Sequence, residues 1–362
     1  MRKITVLGDG GCCTALAMTL LKNDHSVTLW GPFEDNIEAI RSTRKNRFLP
    51  GVDLPAELNA TSNIAEAVDG AELVVLASPS QFMRGTLNMF KEYFVPEQMV
   101  LVNVAKGIET DTLKCMHEIC GEILGENLKY AALSGPSHAE EVSRGVPTAV
   151  VAASENIGIA KLVQETFMSD NFRVYTSRDV ISLELGGALK NVLAIAAGII
   201  DGMNLGDNPK AALITRGIAE MARLGVALGG RRETFAGLSG IGDLIVTCMS
   251  RHSRNRHVGE ELGRGKTLEE ITREMGMVVA EGVKTAISAH MLAQRKNCDT
   301  PIINAVFNVL YNNLSAGDAV RALMTRDARD EEDGFRKIPE VICGRRCRRP
   351  ASEGSDVFLR EG

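Results

Sequence analysis

One lysine lies in a segment that is otherwise almost wholly apolar. Lys190 stands within the run Leu185–Gly198, where the only other polar residue is Asn191, and Glu184 directly precedes the run. A helix that is apolar on all sides is a buried one, and burial lowers the pKa of an amine by disfavouring its charged form. Such an amine can take the proton of an alcohol during oxidation, so Lys190 is a candidate general base. The alternative is a lysine that pairs with a carboxylate or extends its amine to water.

A glycine-rich loop follows the first predicted strand, Ile4–Leu7, and precedes a predicted helix that starts at Thr14. Dinucleotide-binding folds place G-x-G-x-x-G here, so that the backbone approaches the pyrophosphate at the helix N-terminus. Gly8 and Gly10 match this pattern, whereas Cys13 stands at the third glycine position. We expect the thiol to overpack the loop and to weaken cofactor binding somewhat. The loop predicts a dinucleotide site, and the alternative is a glycine turn without a ligand.

The end of the second predicted strand, Ser26–Trp30, does not identify the dinucleotide. A carboxylate at that point binds the ribose hydroxyls of NAD, and an arginine suits the 2′-phosphate of NADP. The segment Gly31–Asp35 offers neither residue in the expected place. The choice between NAD and NADP is therefore open at this stage.

Other polar segments suit a phosphorylated substrate. Lys106 and the segment Ser134–Ala139 each follow a predicted strand, where open α/β sheets bind their ligands. Asp243 and the segment Ser250–Asn255 add a carboxylate, arginines and an amide that can hold a phosphate and hydroxyl groups. The histidines of these segments are interpreted as hydrogen-bonding residues rather than as bases.

Two types of pattern divide the chain into regions. Near-continuous apolar runs alternate with amphipathic stretches in the first half, which predicts parallel βαβ units and a doubly wound sheet. The predicted strands are Ile4–Leu7, Ser26–Trp30, Leu73–Ala77, Val100–Val104, Ala131–Leu133, Val146–Ala152 and Arg173–Thr176. The predicted helices between them are Thr14–Lys22, Glu34–Arg44 and Thr112–Leu124.

The strand pattern stops near Val180, and helical patterns follow. These helices are predicted at Ile181–Gly202, Pro209–Leu228, Val258–Gly263, Leu268–Met275, Val283–Arg295 and Pro301–Asn312. We therefore predict an α/β dinucleotide-binding domain at 1–179 and an all-α domain at 180–325. The mixed charge and low apolar content of 326–362 predict a disordered tail.

Composition narrows the class of protein further. The 362 residues carry a net charge of −5, which gives no reason to expect nucleic acid as a partner. The longest apolar run, Val192–Ile200, is far shorter than the ~20 residues of a transmembrane helix. The strand pattern begins at the N-terminus, so we expect no signal peptide. The eight cysteines are too sparse for a disulfide framework, and their spacing predicts no metal site.

Taken together, the motifs resemble those of NAD(P)-dependent glycerol-3-phosphate dehydrogenases of the bacterial type. The resemblance spans about residues 1–325, and several motifs occur in the family's order. They are Val102–Glu109, Ser134–Ala139, Gly187–Val192, Gly240–Cys248, Ser253–Asn255 and Glu281–Val283.

The resemblance implies a fold, a reaction and a cellular setting. The fold is an N-terminal Rossmann-type domain with a parallel sheet, followed by an all-α domain with helices like those of 6-phosphogluconate dehydrogenase. The reaction is the reduction of dihydroxyacetone phosphate to sn-glycerol 3-phosphate with NAD or NADP as cofactor, which supplies phospholipid synthesis. The resemblance also implies a cytoplasmic homodimer.

The resemblance also implies roles for individual residues. Lys190 is the implied proton acceptor in oxidation. The implied substrate-binding residues are Lys106, Gly135, Ser137, Lys190, Asp243, Ser253, Arg254 and Asn255. The implied cofactor-binding residues are Gly8, Gly10, Gly11, Cys12, Cys13, Lys106, Ala139, Arg254, Val279 and Glu281.

The chain departs from the family pattern in the dinucleotide region. The family commonly has Ser-Trp-Gly where this chain has Gly11-Cys-Cys13, and an arginine where Pro32 and Phe33 stand. Two other functions are also compatible with parts of this sequence. A related dehydrogenase could act on another hydroxy acid or sugar phosphate, and a cofactor-binding protein could have lost catalysis. The presence of Lys106, Lys190 and Asp243 counts against the second alternative.

Overall fold

A computed structural model of the chain describes residues 1–276, 280–328 and 330–331. Met1–Ala328 forms one unit, and Arg329–Gly362 is assigned to a second. Val279 and most of the predicted tail therefore lie outside the described residues.

Eight strands form one twisted sheet in the order β3-β2-β1-β4-β5-β6-β7-β8. From β1, the next two strands in the chain are added on one side of the sheet, and the strands from β4 onward are added on the other side. Sheets of this type bind ligands at the point between β1 and β4 where the strand order reverses. The strands are Lys3–Leu7 (β1), Ser26–Trp30 (β2), Asn59–Thr61 (β3), Leu73–Leu76 (β4), Val100–Asn103 (β5), Tyr130–Ser134 (β6), Thr148–Ala153 (β7) and Phe172–Ser177 (β8).

The sheet differs from the predicted one in two ways. The sequence interpretation missed β3, which has three residues and pairs only with β2 at the edge. In addition, β7 runs antiparallel to β6, whereas the other neighbouring strands are parallel. The connection between β6 and β7 contains only the four-residue helix Ala139–Val142, and the chain returns into the sheet from the opposite direction.

Helices cover the sheet between the strands. They are Gly11–Lys22 (α1), Glu34–Thr43 (α2), Ile64–Val68 (α3), Met83–Phe90 (α4), Met116–Leu124 (α5), Ala139–Val142 (α6) and Ile157–Phe167 (α7). Helix α5 begins at Met116 and not at Thr112 as predicted. The reason is that Leu113 has φ +62°, and Cys115 and Glu118 form a capping box that starts the helix.

The predicted all-α region is confirmed. Its helices are Val180–Gly202 (α8), Asp207–Ala227 (α9), Arg232–Phe235 (α10), Asp243–Met249 (α11), Arg254–Gly263 (α12), Leu268–Met275 (α13), Glu281–Arg295 (α14), Pro301–Tyr311 (α15) and Ala316–Met324 (α16). Helix α12 begins four residues before the predicted start, because the Ser253 side chain accepts a hydrogen bond from the Arg256 amide and caps it. The division at 179/180 stays a prediction, and it falls between the last strand and α8.

Helix α8 is the central helix of this second region. It is the one helix in the described ranges that is long and apolar enough to cross a membrane, and its apolar window is entirely buried in the protein. Leu189, Val192 and Leu193 pack in the cluster that also holds apolar residues of α9, α11, α12, α14 and α15. The burial identifies α8 as the core helix of a folded domain.

Helices α8 and α12 cross with their backbones in direct contact. A Cβ added to Gly259 would lie 1.9 Å from the carbonyl oxygen of Ile195, and one added to Gly198 would lie 1.9 Å from that of Arg256. Only glycine allows this approach. The crossing holds the N-terminus of α12 next to the middle of α8, where Lys190 lies.

We expect Gly259→Ala to lower the free energy of unfolding by about 1–3 kcal/mol, because the added methyl group must separate the two helices. Urea unfolding followed by circular dichroism measures the change. Gly121→Ala in α5 is the matched control, since a Cβ there meets no atom within 4 Å. That variant should be as stable as the original or more so, by up to ~1 kcal/mol. Equal free energies of unfolding for the two variants would show that α8 and α12 can move apart without loss of stability.

Candidate active site

A cluster of two lysines and one aspartate lies where α8 meets the sheet, with Lys190 and Asp243 buried and Lys106 half-buried. The Lys190 ammonium group on α8 contacts the Asp243 carboxylate at the start of α11 and donates a hydrogen bond to Thr247 Oγ1 at 2.8 Å. Lys106, in the loop after β5, donates to the other Asp243 oxygen at 2.6 Å and to the Gly135 carbonyl at 2.9 Å. Lys190 is 6% exposed and Asp243 is 1% exposed. The structure thus brings four of the predicted residues together.

The surroundings change the proton affinities of this cluster. Burial, together with the smaller effect of the Lys106 charge, lowers the pKa of Lys190 to about 8 against the opposing attraction of Asp243. Burial alone would raise the pKa of Asp243, but the two ammonium groups outweigh it and hold that pKa below its usual value. Asp243 is therefore ionised, and the Lys190 amine can gain or lose a proton near neutral pH.

The N-terminus of α12 lies beside the lysines. Asn255 donates from Nδ2 to the Asn191 side-chain oxygen at 3.0 Å, and its own side-chain oxygen accepts from the Gly282 amide at 2.9 Å. Asn191 in turn donates to the Lys106 carbonyl at 3.1 Å. Arg254 is exposed in the first turn of α12. Of the Ser253–Asn255 segment, Asn255 is therefore connected to Lys106 through Asn191, whereas Ser253 caps α12.

The glycine loop fits a dinucleotide. Gly8 has φ +140°, and a Cβ there would lie 3.0 Å from the Ala77 carbonyl, so the loop requires glycine. Gly10 caps α1 without a side-chain hydrogen bond, which leaves the first-turn amides directed toward the place of an anion. Gly11 and Ala139 face each other across this space, since a Cβ on Gly11 would be 3.6 Å from that of Ala139.

The two cysteines of the loop have different surroundings. Cys12 is exposed, and its sulfur lies 3.9 Å from the Ser137 carbonyl oxygen. Cys13 is buried in the space that Gly8 leaves, and its thiol donates to the Ala77 carbonyl at 3.3 Å. The thiol therefore has an acceptor, and it packs closely against Gly8. The weakened cofactor binding expected from Cys13 stays a prediction.

Glu281 joins the helical region to the sheet. Its carboxylate accepts hydrogen bonds from the Ser80 amide at 3.1 Å and from the Ser80 hydroxyl, in the segment after β4. Burial raises the pKa of Glu281. The predicted cofactor residue Val279, two positions earlier, lies outside the described residues.

Glu184, which the sequence analysis set beside Lys190, belongs to a separate buried network. Its carboxylate accepts from the Tyr130 hydroxyl, from Asn103 Nδ2 at 3.2 Å and from the His117 ring at 2.7 Å. The Asn103 side-chain oxygen accepts from the Ala105 amide at 3.0 Å. This network fixes the backbone directly before Lys106.

Sequence reasoning gave no individual role in the site to several polar groups that lie within its quoted segments. Thr247 lies one turn after Asp243 on α11, and that i,i+4 spacing could have identified it. Ser134 Oγ and His138 Nε2 are buried, and neither has a hydrogen-bond partner among the described residues. The His138 ring lies 6.3 Å from that of His252, centroid to centroid. No local pattern distinguishes these groups, since their burial depends on the packing of the two regions.

Comparison with known proteins agrees with this architecture. The family model for the NAD-dependent glycerol-3-phosphate dehydrogenase N-terminus matches residues 3–160, and the C-terminal one matches residues 179–321. Glycerol-3-phosphate dehydrogenase [NAD(P)+] of Fusobacterium nucleatum is 50% identical over 91% of this chain and 99% of its own length. The Thermoanaerobacter sp. enzyme of the same name is 48% identical over 92% and 100%.

A solved structure extends the comparison to three dimensions. The glycerol-3-phosphate dehydrogenase of Coxiella burnetii superposes with a TM-score of 0.86 at 36% identity, covering 90% of this chain and 99% of that one. The resemblance inferred from the motifs is thus confirmed. This chain belongs to the NAD-dependent glycerol-3-phosphate dehydrogenase family.

Proposed function

We propose that this protein catalyses the reversible reduction of dihydroxyacetone phosphate to sn-glycerol 3-phosphate with NADH or NADPH, and so supplies glycerophospholipid synthesis. The observation that carries the proposal is the cluster of Lys106, Lys190 and Asp243. It lies beside polar residues suited to a phosphorylated substrate. The names of the relatives support the choice of substrate.

The dinucleotide is assigned to the carboxyl ends of β1 and β4, where the strand order of the sheet reverses. The glycine loop Gly8–Cys13 and the first turn of α1 hold the pyrophosphate through backbone amides. Ala139 and Glu281 line the nicotinamide end. When bound, the reduced nicotinamide supplies the hydride that C2 of the substrate accepts.

Lys190 handles the proton that accompanies this hydride. In the direction of reduction, its ammonium group donates a proton to the C2 oxygen of the substrate. In oxidation, the neutral amine takes the proton back from the C2 hydroxyl. Asp243 and Thr247 hold the amine in place. A pKa of about 8 suits Lys190 to both directions.

The remaining residues bind the substrate. Lys106 lies opposite Lys190 across Asp243, and places a second positive charge near the C2 oxygen as negative charge develops there. Gly135 and Ser137 lie beside Lys106 after the end of β6, since the Gly135 carbonyl accepts hydrogen bonds from both Lys106 and Ser137. Ser253, Arg254 and Asn255 hold the phosphate at the N-terminus of α12, where the helix dipole favours an anion.

We expect Arg254→Ala to raise the KM for dihydroxyacetone phosphate by about 10- to 100-fold, because a charge-assisted contact to the phosphate is lost. The KM for dihydroxyacetone, which lacks the phosphate, should change much less. Arg251→Ala is the matched control, since that arginine is also exposed and precedes the helix by three residues. Equal losses for both substrates would show that Arg254 does not bind the phosphate.

We also propose that the protein works in the cytoplasm as a homodimer. The six cysteines among the described residues are all free thiols, which suits a reducing compartment. Ile245 and Met249 lie one turn apart on α11 and are exposed, which provides apolar surface for a second copy. Light scattering after size-exclusion chromatography measures the oligomeric state, and a monomer across micromolar concentrations would contradict the proposal.

The reaction itself is tested by following oxidation of NADH and of NADPH with dihydroxyacetone phosphate as substrate. Glyceraldehyde 3-phosphate and a 2-oxo acid serve as controls, since they represent the two alternative substrate classes. We expect turnover with dihydroxyacetone phosphate to exceed both by at least about 100-fold in kcat/KM, the discrimination available to a site that binds specific polar groups. A faster reaction with either control would overturn the proposed substrate.

A further inference from the structure

The segment 46–48 is fixed against the glycine loop. The Asn46 side chain is buried and donates to the Asp9 carbonyl at 2.8 Å and to Thr14 Oγ1 at 2.7 Å. A Cβ on Gly11 would lie 2.5 Å from the Phe48 carbonyl oxygen, so these two backbones touch. Arg47 stands between two residues that contact the loop, and its backbone is therefore held beside the place assigned to the dinucleotide.

The Arg47 side chain extends toward the end of β2. Its guanidinium carbon lies 5.2 Å from the centroid of the Phe33 ring and 5.0 Å from that of Phe48. Phe33 caps α2 and comes three residues after Trp30, the last residue of β2. The guanidinium group also pairs with Asp35 at 2.6 Å, and the two side chains are 35% and 71% exposed. Arg47 thus brings a guanidinium group to the segment Gly31–Asp35 after β2, which itself contains no arginine.

Asp9, the carboxylate of the glycine loop, is not free to bind ribose. Asp9 is 5% exposed, and its side chain packs on Gly31, where a Cβ would be only 2.5 Å away. Its Oδ2 atom accepts a hydrogen bond from Asn36 at 2.9 Å. Burial accordingly raises the pKa of Asp9, although Asn36 and Arg47 oppose the change. Because the Asp9 carboxyl group is buried and already hydrogen-bonded to Asn36, it is a poor partner for the ribose hydroxyls of NADH.

We propose that Arg47 binds the 2′-phosphate of NADPH and makes this protein prefer NADPH to NADH, an inference that rests on the proposed function. The phosphate replaces Asp35 as the partner of the guanidinium group. Exposed ion pairs such as Arg47–Asp35 are weak, whereas an arginine binds a phosphate dianion through two parallel hydrogen bonds. The rings of Phe33 and Phe48 hold the guanidinium plane before the cofactor arrives.

Isothermal titration of the full-length protein with NADPH, NADH, 2′,5′-ADP and 5′-ADP tests the proposal without relying on turnover. We expect Arg47→Met to raise the Kd for NADPH and 2′,5′-ADP by about 10- to 100-fold, as for other hydrogen bonds to charged groups. The Kd for NADH and 5′-ADP should change by less than about threefold. Arg41→Met is the matched control, because Arg41 also pairs with an acid of α2, Glu34 at 3.8 Å, and should leave all four constants unchanged.

Two more variants make the outcome decisive. Arg47→Lys keeps the charge and should lose only part of the NADPH affinity, and Asp35→Asn removes the competing carboxylate and should tighten NADPH binding several-fold. Equal losses for NADPH and NADH in Arg47→Met would place Arg47 at the pyrophosphate or the adenine and overturn the proposal, as would no loss at all. A protein that binds both cofactors with the expected Arg47 effects but reduces no dihydroxyacetone phosphate would refute the proposed function alone.

Discussion

Lys190→Ala should lower kcat by three orders of magnitude or more while the Kd for NADPH stays within about threefold of its original value. General acid–base catalysis contributes about 10²–10⁴-fold, and the Lys190 amine is also held by Asp243 and Thr247 at the point where the proton moves. Single-turnover kinetics and cofactor titration separate the two effects. Lys190→Met, which keeps most of the buried volume, controls for the cavity that alanine leaves. Either variant with more than a tenth of the original kcat would rule out Lys190 as the proton donor.

The pH dependence gives a second test of the same residue. Because burial lowers the pKa of Lys190 to about 8, the amine is protonated below that pH and neutral above it. The rate of reduction, which needs the protonated form, should therefore fall as the pH rises through about 8. The rate of oxidation needs the neutral form and should rise over the same range. Profiles that change in the same direction for both reactions would contradict this role.

Asp243→Asn should lower kcat/KM by at least 100-fold. The substitution keeps the shape of the side chain but removes the negative charge between two ammonium groups. Removing one partner of a buried ion pair typically costs about 3–5 kcal/mol, because the remaining charge is left uncompensated. Without the attraction of Asp243, the pKa of Lys190 should fall further, so the pH midpoint of both profiles should shift to lower values.

The control for this variant is Asp207→Asn. Asp207 also occupies the first turn of a helix, α9, but its side chain is exposed to solvent. It should show unchanged kinetics and an unchanged pH profile. Circular dichroism and thermal unfolding establish that Asp243→Asn is folded at the assay temperature. A folded Asp243→Asn protein whose pH midpoint equals that of the original would refute the electrostatic role of Asp243.

Much of the architecture could be predicted from the sequence. Strands that are buried on both faces must be apolar almost throughout, so β1, β4 and β5 are visible as local patterns. The short edge strand Asn59–Thr61 has no such pattern and exists through its pairing with β2. The antiparallel direction of β7 likewise depends on how the chain returns after β6, which residue preferences do not encode.

The sequence alone also identified Lys190 as unusual, because a lysine in an almost wholly apolar helix is rarely buried without a partner or a task. It did not determine the partners. Asp243 and Thr247 are 53 and 57 residues away along the chain, and only the packing of α11 on α8 brings them to the amine. Arg47 shows the same limit, since its place at the end of β2 comes from contacts of its neighbours with the glycine loop. Local pattern determines which side chains are buried, whereas the distance between two charges is set by the tertiary fold. Burial lowers the pKa of Lys190, and its contact with Asp243, which only the fold provides, opposes that change.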